Sequence, residues 1–215
     1  MSMRTPIDMG DLLSEIEVPD IGGAQLALQD IQAKREQDIF AEQKRKGWDK
    51  TVEARCDFTP HPHLVRRSGL FFLAYWRKSV YGKTLTEIKA DDSMVHFFAN
   101  TMVMYISDIL GPRLDKGNWC IITTPKRRHL VKNFATRISE EMASRLSIPF
   151  YEDVCSCRTR QRVNAIFDVN LVPEEQNIIC FDDFVTTGQT LQAMERALEP
   201  YNKNLLFLSG IDNKL

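Results

Sequence analysis

Three apolar runs in the second half of the chain constrain its fold most tightly. They read NWCIIT from Asn118, NIICF from Asn177 and NLLFLSGI from Asn204. None alternates apolar with polar residues over its central positions. A strand wetted on one face alternates, whereas a strand covered on both faces does not. Between the runs the period changes. Leu130, Phe134, Ile138, Met142 and Leu146 recur every fourth residue, and Leu191, Met194 and Leu198 share one helical face. Residues 149–154 supply a further strand. Strand, helix, strand, helix, strand predicts an α/β domain: a mostly parallel twisted sheet flanked by helices.

Upstream the pattern is less regular. GLFFLAYW, residues 69–76, reads as a strand, and its Phe71, Phe72, Tyr75 and Trp76 read as core rather than as a cover over a ligand. YGKTLTEIKADD holds a short helix, with Asp91, Asp92 or Ser93 capping the next, which runs to Leu110 and stops at Gly111-Pro112. That longer helix is too short and too polar for a membrane span, so no membrane association is expected. His96 on it reads as a satisfied buried histidine. Residues 51–67, with Pro60 and Pro62, read as irregular. There Cys56, His61 and His63 lack the partner spacing of a zinc site. Residues 24–46 read as a sparsely apolar helix and a candidate contact in a homodimer. The expected division is a helical or irregular N-terminal extension, 1–68, followed by the α/β domain, 69–215.

Composition excludes some roles. Twenty-eight Lys and Arg against 29 Asp and Glu leave no general positive field, so nucleic acid is not an expected partner. The five cysteines form no Cys-x-x-Cys pair. They read as reduced thiols in a cytoplasmic protein rather than as a secreted disulfide framework. No signal peptide is read at the N-terminus.

The chemistry concentrates in IICFDDFVTTGQTL, residues 178–191. In open α/β sheets ligands sit at the carboxyl ends of strands, where this segment falls. The turn 186–190 puts backbone N–H groups and a helix N-terminus where an anion such as phosphate is favoured. Gly188 permits close approach or positive φ. Asp182 and Asp183 would repel phosphate but can accept hydrogen bonds from vicinal hydroxyls. Acids beside a phosphate cradle point to a phosphorylated sugar.

That segment resembles the phosphoribosyl pyrophosphate (PRPP) signature of type I phosphoribosyltransferases: apolar residues, two acids, two apolar residues, then Thr-Thr-Gly-x-Thr. VYGKTLTEIKADDSMVHFFANTMVMYI resembles the opening segment of competence protein F (ComF)-like phosphoribosyltransferases. ITTPKRRH sits where that family has a strand ending in Pro before a basic stretch. CRTRQRVNAIFDVN resembles a shortened form of its Arg-rich loop. Two features depart from the family: VKNFATRIS replaces its Arg-Gly-Phe-Asn-Gln stretch, and the cysteine pairs of its N-terminal zinc ribbon are missing.

The resemblance implies the type I phosphoribosyltransferase fold. It implies that Asp182 and Asp183 bind the ribose hydroxyls and hold Mg2+ through water, and that Val185, Thr186, Thr187, Gly188, Gln189 and Thr190 bind the 5-phosphate. Residues 123–128 would form the pyrophosphate loop, with Thr124, Lys126, Arg127 and Arg128 as ligands. Lys89 matches the family's opening-segment lysine. The loop 156–162 would close over pyrophosphate and exclude water, with Arg158 and Arg160 as catalytic cations. Asp183 would assist the nucleophile. The implied reaction transfers phosphoribose from PRPP to a nitrogen nucleophile, a nucleobase or other acceptor, with Mg2+ as cofactor and pyrophosphate as product. The alternative is a regulatory module that binds PRPP or a nucleotide in the same pocket without turnover.

Overall fold

The computed structural model describes residues 54–125, 132–158 and 166–214. Its main sheet has six strands in the order β2-β3-β10-β9-β5-β6. β2 is His63–Arg67, β3 Leu70–Arg77, β5 Trp119–Thr123, β6 Phe150–Tyr151, β9 Asn177–Val185 and β10 Asn204–Asp212. All neighbouring pairs are parallel except β2 with β3. Two short ribbons complete the strands: β1, Arg55–Cys56, with β4, Lys83–Thr84, and β7, Cys155–Cys157, with β8, Phe167–Val169. The helices are α1, Leu85–Ala90; α2, Ser93–Leu110; α3, Phe134–Leu146; and α4, Gln189–Leu198.

The unalternating runs are buried on both sides, as their composition predicts. Ile179 and Phe181 of β9 join Ile121 in a core with Phe98 and Met102 of α2 and Ile138 and Met142 of α3. Ile178 and Cys180 join Cys120 and Ile122 in a second core with Leu191, Met194 and Leu198 of α4. The sheet separates the two. Thus β5 leads to a helix on one face, while β9, its neighbour, leads to a helix on the other. Where connections from adjacent parallel strands diverge in this way, a crevice opens outside their carboxyl ends. Burial raises the thiols inside these cores: Cys120 is pushed up to about 12, and Cys56 and Cys155 to about 11.

Several upstream expectations are corrected. Residues 51–67 are not wholly irregular, because they contain β1 and β2. The hairpin β2–β3 turns at Ser68 and Gly69, both at positive φ (51° and 80°), which suits a tight hairpin turn. The boundary expected at 68/69 cuts this hairpin, so the sheet begins before Gly69. CSCRTRQR is not wholly a loop, since it begins as β7. Phe72 and Trp76 are core, as expected, but Phe71 is exposed. His96 is also exposed, and its Nδ1 lies 2.7 Å from Glu141. Among the described residues no helix is long and apolar enough to cross a membrane. The expected helix 24–46 lies outside the described residues.

Gly210 shows how closely the layers meet. It stands across from Asp183 in the β9–β10 register, where a Cβ would lie 2.7 Å from Phe98 Cε1 and 3.0 Å from the Asp183 carbonyl oxygen. Neither Phe98, which is fully buried, nor a strand backbone can move away freely. Gly210→Ala is therefore expected to cost about 1–3 kcal/mol through overpacking. Thermal unfolding should show a midpoint lower by roughly 3–10 °C.

Candidate functional site

Both acids lie inside β9 rather than beyond its end. The strand therefore sends the two side chains to different neighbours instead of presenting them side by side. Asp182 accepts a hydrogen bond from Thr124 Oγ1 at 3.2 Å, which ties the ends of β5 and β9 together across the crevice. Asp183 is 7% exposed and meets Lys89 of α1, whose Nζ lies 2.8 Å from its Oδ2. Its Oδ1 accepts from the Phe184 N–H at 3.0 Å. The Lys89 ammonium also lies 4.7 Å from the Phe184 ring centroid, within cation–π range. The expected carboxylate couple is thus one acid facing the crevice-forming strand and one acid already balanced by a cation.

Beyond Val185 the chain makes the expected turn. Gly188 has φ 77° and precedes α4 as its N-cap. A Cβ there would sit 3.3 Å from Arg67 Cβ, so both the dihedral and the space favour glycine. Thr186 and Thr187 are exposed, Gln189 and Thr190 are partly buried, and the helix N-terminus lies behind them. This end of α4 has no side-chain cap hydrogen bond. A turn of this kind offers N–H groups and the positive end of a helix dipole to an anion.

The β2–β3 hairpin reaches this turn, which was not foreseen from the sequence. Arg67 Nη1 donates to the carbonyl oxygens of Val185 at 3.2 Å and Thr186 at 3.0 Å. Its Nη2 pairs with Asp212, a buried acid at the end of β10. Ser68 Oγ donates to the Thr187 carbonyl oxygen at 2.9 Å, and Gln192 Nε2 donates back to the Ser68 carbonyl oxygen at 2.5 Å. Asn213 Nδ2 donates to Thr186 Oγ1 at 3.0 Å. The available signal was Ser68-Gly69 directly before the apolar run 70–76, a turn dipeptide at the start of a strand.

The basic residues expected around pyrophosphate are only partly placed. Thr124 is buried at the end of β5. Lys126, Arg127, Arg128 and Arg160 lie outside the described residues. Arg158 follows β7 and donates from Nε to both Asp168 oxygens, at 3.1 and 3.0 Å. That hydrogen bonding holds the Asp168 carboxyl below its usual range. The ribbon's base is fixed, because Cys155 and Phe167 are buried in the same core as Leu191 and Met194 of α4.

An apolar cleft of about 270 Å³ lies on the α2 side, lined by Cys56, Asp57, Phe58, Gly82, Lys83, Met94 and Phe97. None of the expected site residues lines it. Among the described residues no cluster of three or more His, Cys, Asp or Glu could hold a metal ion by itself.

No family model matches the chain, and no curated protein matches its sequence. Solved structures do resemble it, among them several phosphoribosyltransferases. An adenine phosphoribosyltransferase is 14% identical with a TM-score of 0.43, over 69% of this chain and 84% of that chain. The adenine phosphoribosyltransferase of Saccharomyces cerevisiae, complexed with an imino-altritol bisphosphate and adenine, is 15% identical at 0.41, over 69% and 83%. The orotate phosphoribosyltransferase of Aeropyrum pernix is 15% identical at 0.38, over 61% and 66%. At these scores it is the strand order and register that establish the α/β fold.

The Lys89–Asp183 pair yields a direct test. Lys89 is half exposed, which limits the strength of the pair, but its partner is buried. A denaturation cycle of Lys89→Met, Asp183→Asn and the double variant is expected to give a coupling energy of about 1 kcal/mol. Additive effects would mean that the two groups do not stabilise one another.

Proposed function

We propose that the chain is a Mg2+-dependent phosphoribosyltransferase of the ComF-like kind, transferring phosphoribose from PRPP to a nitrogen nucleophile. One observation carries the reading. The acid-rich end of a central parallel strand and a Thr-Thr-Gly turn at a helix N-terminus flank the crevice where adjacent strands diverge. The turn 185–190 suits the 5-phosphate, and the carboxylates suit the ribose hydroxyls. In this reading Asp182, held by Thr124, is the nearer hydroxyl acceptor, and Asp183 acts together with Lys89.

The donor set fits Mg2+ only as an ion shared with substrate. Mg2+ keeps several waters and commonly takes one or two carboxylates together with substrate phosphates, rather than an all-protein cage. Asp182 and Asp183 would hold it through water. When bound, it would offset charge on the departing pyrophosphate. The chain's own part is orientation: it would align the anomeric carbon so that the bond to pyrophosphate breaks as the bond to nitrogen forms. Lys126, Arg127 and Arg128 would stabilise the leaving group, and Arg158 and Arg160 would close over it. The acceptor would be a nucleobase or another nitrogen compound.

A second reading, binding of PRPP or a nucleotide without turnover, is favoured by the Lys89–Asp183 contact. Both oxygens of Asp183 are already engaged, Oδ2 by Lys89 and Oδ1 by the Phe184 N–H, which leaves fewer lone pairs for a nucleophile or a metal-bound water.

Calorimetry with PRPP should show binding that strengthens with Mg2+. Asp182→Asn combined with Asp183→Asn should weaken it by about 30-fold, or about 2 kcal/mol. Unchanged affinity would remove the ribose assignment. Pyrophosphate release with a panel of bases separates the readings, because a sensor would bind PRPP and release none. If Arg158 and Arg160 form a lid, their alanine variants should lose kcat by roughly tenfold or more with much smaller loss of affinity.

A further inference from the structure

We propose that Arg67 and Ser68 are positioning residues for the turn 186–188, aiming its N–H groups at the ligand. This rests on the phosphate reading of that turn, but it concerns residues outside the signature. In a trans peptide the carbonyl oxygen of one residue and the N–H of the next point in opposite directions. The carbonyls of Val185 and Thr186 both accept from Arg67 Nη1, and the carbonyl of Thr187 accepts from Ser68 Oγ. Three successive carbonyls are thus drawn towards one hairpin. The N–H groups of Thr186, Thr187 and Gly188 must then point away from it. In an ordinary strand successive carbonyls alternate sides, so this arrangement is not the default. Three successive N–H groups turned the same way form an anion-binding concavity.

Arg67 suits this task better than lysine would. Its planar fork reaches two carbonyl oxygens through Nη1 while Nη2 pairs with Asp212. Asp212 is buried and sits beside Val185 in the β9–β10 register, so the guanidinium is held from the sheet itself. The Val185 carbonyl also accepts from the Asn213 N–H at 2.9 Å, which fixes the first plane of the turn from β10. Gly188 packs against the Arg67 stem, and Gln192 of α4 holds the Ser68 carbonyl. The hairpin, the end of β10 and the first turn of α4 therefore close around the same three peptides.

The test uses Arg67→Lys and Ser68→Ala in the full chain, with ribose 5-phosphate as the probe. Backbone 15N relaxation of the ligand-free protein is measured alongside. Arg67→Lys keeps a cation for Asp212, and Ser68 is exposed, so both variants should fold with midpoints close to that of the parent. The expected result is a roughly tenfold loss of affinity for Arg67→Lys and a loss of about threefold for Ser68→Ala. Order parameters at Thr186, Thr187 and Gly188 should fall from about 0.85 towards 0.6, with the rest of β9 unchanged. Wild-type affinity and wild-type order parameters in both variants would overturn the positioning role. If the parent fails to bind ribose 5-phosphate while the variants still loosen the turn, the phosphate reading falls and the clamp stands. Should Arg67→Lys unfold the chain, Ser68→Ala still decides the matter, because it removes the hydrogen bond to the Thr187 carbonyl without touching the Asp212 pair.

Discussion

The structure depends on β9 being enclosed from both faces and both edges. β10 pairs with it from Asn177 to Val185 and β5 from Asn177 to Phe181, and helices cover it on either side. Such a strand cannot slide, because a one-residue shift would exchange its two faces. Everything of chemical interest follows from where this fixed strand stops. Its last residues carry the two acids, and the turn beyond it begins α4.

The fixed strand also imposes a cost on the site. Asp183 is placed at nearly core depth, where an unpaired carboxylate would be strongly unfavourable. Lys89 answers that requirement from α1, whose Ile88 is anchored in the core beneath it. The same depth requires a glycine across from Asp183, since Phe98 already fills the space a side chain would take. Packing and site chemistry are therefore coupled at one level of the sheet.

Much of the second half was legible because its signals are local. Residues 178–181 lack polar alternation and proved to be buried on both faces. Phe134, Ile138, Met142 and Leu146 proved to be one buried helical face. The Thr-Thr-Gly turn was equally readable, since Gly188 needs positive φ and helix-forming residues follow it. The first half was less legible. β1 and β2 lie among Pro, His and Arg, and edge strands can tolerate such residues. His96 sits on a largely apolar helix yet faces water, because sequence period shows a stripe but not which flank of it the neighbouring helix leaves uncovered.

The sequence by itself determined that a parallel α/β sheet would form and that an acid-rich strand would run into a glycine turn and a helix. These properties depend on period, burial propensity and backbone freedom, which act over a few residues. Only the tertiary structure decided that Asp182 would meet Thr124, that Asp183 would meet Lys89, and that Arg67 and Ser68 would grip the turn. Those contacts join residues from 58 to 119 positions apart. No local pattern specifies which side chains converge there, because sheet order and strand register, not chain distance, bring them together.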